Sequence, residues 1–168
     1  MRAHSRGFSM IEVVIAVGVI AVAVATMLAL MPLLTRQMRD ASDSLVAQRL
    51  AGGVEAELRR LASGGNMSGL AGQIRSIGAT DTLTMVAARN GGEVTIESAS
   101  DLPDQERYFA IELWQYSSAP LAYDATGAML AAHVRVSWPY KIPDSNGAFL
   151  TVPEADRSSA TFTVAINR

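Results

Sequence analysis

Cysteine is absent from this 168-residue chain, and histidine occurs only as His4 and His133. Without thiols there is no disulfide, thiolate zinc site, haem attachment or cysteine nucleophile. Two histidines give no multi-histidine metal centre. His133 falls out of phase with Val134 and Val136 in an alternating run, which puts it on the solvent side of a strand rather than in a catalytic set. No Gly-x-Ser-x-Gly elbow, phosphate-binding loop or dinucleotide fingerprint occurs. Asp101, Asp104 and Glu106, and separately Asp144 with Asn146, could offer oxygen ligands to calcium. Each segment also holds a proline or glycine, so solvated turns explain these residues more simply. The chain is therefore expected to be no enzyme and to carry no metal or cofactor.

One residue remains that needs a chemical reason. Glu12 stands at the head of an apolar block, five residues after the Gly7-Phe8 junction. A carboxylate in the centre of a membrane helix costs about 2.5–3.5 kcal/mol, less near the interface, and commonly marks a function or a partner. Either Glu12 snorkels to water at a membrane boundary, or it serves a second chain.

The elements that position it are legible. From Val13 to Thr35 about 23 residues carry no formal charge. At ~1.5 Å per residue this makes roughly 35 Å of helix, enough for a hydrocarbon core of about 30 Å. The run is apolar on every face, which suits lipid better than a soluble core. Arg2 and Arg6 precede it and keep the amino end cytoplasmic by the positive-inside rule. An ordinary secretory signal also begins this way, with Ala23-Val24-Ala25 as an A-x-A-like site. Ala21, Ala25 and Ala29 form a small-residue stripe where helices can approach. Pro32 removes a backbone donor, and a kink or local break is expected there.

The order Gly7-Phe8-Ser9-Met10-Ile11-Glu12-Val13-Val14, after a short basic leader and before a long apolar helix, resembles the amino-terminal signature of type IV prepilins and pseudopilins. Ser9 and Met10 stand where threonine and leucine are commoner, and Pro32 lies later than the helix-kinking proline of many major pilins. The Glu-Val-Val run, Gly18 and the late proline look more like minor pilins, or the pilin-like B proteins of a Verrucomicrobial cassette family. The resemblance covers about a fifth of the chain. It implies that a membrane peptidase cuts between Gly7 and Phe8 and methylates the new amine of Phe8. It also implies that Glu12 neutralises the terminal amine of an adjacent subunit during filament assembly. The implied partners are other pilins or pseudopilins, the prepilin peptidase, an inner-membrane assembly platform with its ATPase, and membrane lipid. The implied place is the bacterial inner membrane, single-pass, with a cytoplasmic amino terminus and a periplasmic carboxyl-terminal domain, and later a filament or the cell surface.

Beyond the apolar run, Val46, Leu50, Val54, Leu58 and Leu61 recur at helical spacing. One broken helix is expected from near Phe8 to near Ala62, roughly 80 Å long, weakened at Gly52-Gly53 and stopped by Ser63-Gly64-Gly65-Asn66. Loop with a helical turn follows to about Ala79. Strands are expected at 82–86, 93–97, 108–116, 133–138 and 161–166, with Asn90-Gly91-Gly92 as a hairpin turn. The fold class is α+β and type IV pilin-like: a long amino-terminal transmembrane helix packed on a small antiparallel sheet. Its parts are a leader at 1–7, a transmembrane and assembly helix at 8–35, and a periplasmic globular domain at 36–168. Losing Arg2 and Arg6 with the leader takes the formal charge from −2 to −4, so no nucleic-acid partner is expected. The competing reading is a signal-anchored envelope protein with a binding domain and no filament role.

Overall fold

The computed structural model describes residues 9–63, 66–126 and 129–167. Helix α1 runs over Met10–Ala62 and α2 over Met67–Gln73. The strands are β1 (Arg75–Ser76), β2 (Leu83–Ala87), β3 (Val94–Ile96), β4 (Phe109–Gln115), β5 (Met129–Trp138), β6 (Lys141–Pro143), β7 (Phe149–Thr151) and β8 (Ser158–Asn167). The chain divides into two units at Ala41/Ser42, and α1 contributes to both.

In the first unit, every described residue is exposed, on all faces of the helix. The helix is long and apolar enough to cross a membrane. Its hydroxyls are turned inward: Thr26 Oγ1 donates to the carbonyl of Ala23 at 2.8 Å, and Thr35 Oγ1 to that of Met31 at 2.9 Å. Of the kink or local break expected at Pro32, the break does not occur: α1 continues through it. A single proline withdraws one hydrogen bond from the ladder, and the turns on either side carry the helix past it.

In the second unit, the sheet order is β3-β2-β4-β5-β8, antiparallel throughout, with β1 added in parallel alongside β4. Alternation divides its faces. Leu83, Met85 and Ala87 of β2, Phe109, Ile111 and Leu113 of β4, Leu130, Ala132, Val134 and Val136 of β5, and Val164 and Ile166 of β8 join one core. The α1 stripe covers that face with Ala47, Leu50, Val54 and Leu58, all buried. Val46 and Leu61 are only partly buried at the margin of the same stripe. This is the expected long helix on an antiparallel sheet, an α+β, pilin-like architecture.

Gly52-Gly53 does not interrupt the helix. At Gly53 a Cβ would lie 2.8 Å from Val94 Cγ2, so the missing side chain lets α1 come down on β3. The gain in packing offsets the ~1 kcal/mol propensity cost of glycine. Gly91, at φ +68°, does the same from the other side, since its Cβ would meet Val46 Cγ1 at 2.7 Å. The β2–β3 turn can therefore sit against the helix.

Several features differ from the sequence reading: β1 lies within the segment expected as loop, and β8 begins at Ser158 rather than 161. The segment after Asn66 forms the two-turn helix α2, whose Met67, Leu70 and Ala71 enter the core. β5 begins at Met129 rather than 133, because it pairs along its whole length with β8, from Met129↔Asn167 to Trp138↔Ser158. The hairpin β6–β7 was not anticipated. Pro139 ends β5 but leaves Lys141–Pro143 free to pair with Phe149–Thr151.

Candidate functional site

Gly7 and Phe8, the expected cleavage junction, lie outside the described residues. The description starts at Ser9, immediately before α1, and that residue is the helix cap. Ser9 N–H donates to Glu12 Oε2 at 2.9 Å, and Glu12 N–H donates to Ser9 Oγ at 3.3 Å. This reciprocal pair is a capping box: two of the donors left over at a helix start are satisfied by side chains three residues apart. Glu12 also places its negative charge in the first turn, where the helix dipole favours it. The Ser-x-x-Glu spacing that signals the box is present in the sequence, yet the sequence reading considered only membrane and partner roles for Glu12.

Both residues are exposed. Oε2 is occupied by the cap, and the same carboxylate retains a second oxygen and further lone pairs for another donor. The arrangement therefore presents an anionic group at the mouth of an apolar helix, already oriented by its own backbone. Chemically it can bind a cation. Among the described residues, no group of three or more His, Asp, Glu or Cys side chains is placed to hold a metal ion.

In the second unit, the start of the packed helix segment is held by a buried carboxylate. Asp43, 5% exposed, accepts Arg89 Nε at 3.1 Å, Arg89 Nη2 at 2.9 Å and Tyr108 Oη at 2.6 Å. The Arg89 guanidinium also lies over the Tyr108 ring, 4.7 Å from its centroid. Its hydrogen bond to Asp43 is the main reason the guanidinium is held above its ordinary pKa. A buried charge is tolerated only when paired and hydrogen-bonded, and Asp43 is both. No local signal marks this cluster, because its members are 46 and 65 residues from Asp43 along the chain.

The sheet face away from α1 carries a second polar group. Arg135 donates twice to Glu112 Oε2, at 3.0 and 2.7 Å, and pairs with Glu154. Its guanidinium stands 5.0 Å from the Trp114 ring centroid. His133 lies between Trp114 and Tyr116, with ring centroids at 6.1 and 6.2 Å. It is a half-buried residue of the outer face, as its phase in the strand predicts.

Two of the carboxylates considered for calcium, Asp104 and Asp144, are engaged by other groups of the chain. Asp104 pairs with Lys141 at 2.7 Å and Arg107 at 3.4 Å, and the Lys141 hydrogen bond draws its carboxyl below the ordinary value. Asp144 Oδ1 accepts the backbone N–H of Asn146 and of Ala148, each at 2.8 Å, closing the turn between β6 and β7. Asp124 does likewise with Thr126, whose backbone N–H is the chief cause of its lowered pKa.

No curated protein matches the chain, and no solved structure matches it. A family model does, at the amino terminus. Residues 2–28, about a sixth of the chain, match the prokaryotic N-terminal methylation motif. On a chain built as a long apolar helix packed on an antiparallel sheet, that match supports a type IV pilin-like family and inner-membrane anchoring.

Proposed function

We propose that the chain is a structural subunit, a minor pilin or pseudopilin, of a type IV pilus or a type II secretion pseudopilus. A prepilin peptidase removes residues 1–7 by cutting between Gly7 and Phe8 and methylates the Phe8 amine. Residues 8–35 anchor the subunit in the inner membrane and later form the filament core, and residues 36–168 form a periplasmic domain. Assembly uses a membrane platform and its ATPase, with other pilins or pseudopilins as neighbours. The observation that carries this reading is the methylation motif over residues 2–28, in register with an apolar helix that begins at Met10.

Glu12 is the assembly residue in this scheme. Its carboxylate lies two positions into α1, in the first turn. Within a packed bundle of apolar helices, an unpaired charge costs several kcal/mol, and a neighbour's free amine at Phe8 would offset that cost. A second reading is favoured by the capping box, which gives Glu12 a local duty in any membrane helix. In that reading the protein is a signal-anchored envelope protein without a filament role.

Mass spectrometry of the membrane-extracted protein decides between them. Cells containing the peptidase are expected to yield a chain that begins with N-methyl-phenylalanine at Phe8. Gly7→Leu, which puts a bulky side chain at the scissile junction, is expected to keep the leader. An intact leader on the wild-type chain, or normal cleavage of Gly7→Leu, overturns the maturation scheme.

A further inference from the structure

The six-stranded sheet ends differently at its two sides. On one side β3 is three residues long and lies between Glu93 and Glu97. On the other, β8 is a ten-residue edge, Ser158–Asn167, with no charge, proline or glycine. Natural edge strands are usually short, charged, bulged or covered, because a row of unpaired N–H and C=O groups is a template for another strand. β8 has none of these protections. It pairs residue for residue with β5, and among the described residues none of its backbone groups bonds to any other segment.

Its side chains are also incomplete on the core side. Val164 and Ile166 are buried, but Phe162 and Ala160, on the same face, are only partly buried against the core. On the opposite face Thr161, Thr163 and Ala165 are exposed. A strand laid beside β8 would satisfy the alternate open backbone groups and close over Phe162. Such a strand must be extended, uncharged, and alternately apolar and polar, to match both faces of β8.

We propose that this edge is a docking site for an extended segment of a different polypeptide, added to the sheet as a further strand. A second copy of this chain fits poorly. Antiparallel pairing of β8 with β8, with the core faces kept together, requires a two-fold axis perpendicular to the sheet. That axis reverses the Ser42–Ala62 segment of α1, which lies along the sheet through Ala47, Leu50, Val54 and Leu58. The two chains would then enter their second units, at Ser42, from opposite ends of the pair, whereas two chains anchored in one bilayer enter from the same side. This exclusion of the second copy rests on the membrane anchor of the proposed function. The open edge itself does not.

Two measurements test the parts separately. A fluorescent peptide with the sequence of Ser158–Asn167 reproduces the required alternation and carries no anchor. Its binding to the full chain in detergent is followed by anisotropy, beside two versions N-methylated at one or the other set of alternate residues. The expected result is binding of the plain peptide, retained by one methylated version and weakened roughly tenfold or more in the other, since only one set of N–H groups faces the protein. No binding, or equal binding of all three, overturns the docking site. For the second part, Thr163→Cys gives the full chain its only cysteine, and oxidation in the native membrane is followed on a non-reducing gel. Monomer is expected, and a disulfide-linked homodimer as the main product overturns the choice of a different polypeptide.

Discussion

Glu12→Gln and Ser9→Ala together separate what the capping box does from what assembly asks of Glu12. Ser9→Ala removes the hydroxyl that accepts Glu12 N–H at 3.3 Å, while Glu12 keeps its carboxylate and its bond from Ser9 N–H. Loss of a cap typically costs about 0.5–2 kcal/mol, and this long, exposed bond belongs at the low end. At 1.4 kcal/mol per decade that is a few-fold effect on any equilibrium requiring the first turn. Glu12→Gln retains an oxygen for Ser9 N–H and loses the charge at the helix start, a further ~0.3–1 kcal/mol. In the interior of the proposed filament the effect is larger. The neighbour's amine then lies buried without its counter-charge, and removing one partner of a buried pair costs about 3–5 kcal/mol, or roughly a hundredfold and more in docking. The assay is incorporation into sheared filaments, relative to the processed membrane pool, with the partner subunits coexpressed. Ser9→Ala is expected to enter filaments within a few-fold of wild type. Glu12→Gln and Glu12→Val are expected to be inserted and cleaved normally and to be nearly absent from filaments. Wild-type incorporation of Glu12→Gln would refute the pairing argument. Equal loss in Ser9→Ala would refute it too, by reducing Glu12 to a cap.

Three further outcomes follow from the second unit. Asp43→Asn is expected to destabilise it by about 2–3 kcal/mol in urea unfolding, followed by Trp114 and Trp138 fluorescence, because charge-assisted hydrogen bonds to a buried acceptor are lost; Arg89 is 55% exposed and can re-solvate, which keeps the figure below that of a fully buried pair. Combined with Arg89→Ala, the two effects are expected to overlap rather than add, and simple additivity would contradict the clamp. The Tyr140 hydroxyl, pushed up to about 12 by burial and by its hydrogen bond to Glu97, favours the folded state below about pH 10 and loses that contribution as pH rises toward 12. Ultraviolet titration is expected to show this late tyrosinate step and its disappearance in Tyr140→Phe, and no change on that substitution would contradict the assignment. A chain shortened to begin at Arg36 is expected to be soluble, monomeric and folded by circular dichroism, and an unfolded product would contradict the packing of the α1 stripe on the sheet.

The elements legible in the sequence were those with local periodicity. The α1 stripe, the alternation in β2, β4 and β8, and the glycine turn at Gly91 each repeat within a few residues, and the structure places them as expected. What the sequence hid depended on partners far along the chain. The extension of β5 back to Met129 is set by β8, and Met129-Leu130-Ala131-Ala132 has no alternation of its own. Glycines 52 and 53 read as helix weakness because propensity is local, whereas the space that Gly53 leaves is filled by Val94. The candidate site divides in the same way. Glu12 drew notice as a charge before an apolar run, and its partner Ser9 was available three residues earlier. Asp43 could not have been chosen over Asp40, since only the fold brings Arg89 and Tyr108 to one of them.

The inward-turned threonines alter what a bilayer would experience along the first unit. Hydropathy scales charge every threonine for its hydroxyl, as though that group met lipid directly. Here Thr26 and Thr35 already donate to carbonyls of their own helix, so what remains to be solvated is largely methyl. To surrounding acyl chains the segment from Val13 to Thr35 is then close to unbroken hydrocarbon. Polar side chains flank it at both rims, Arg36 and Gln37 at one and, at the other, Ser9 and Glu12, which already answer one another.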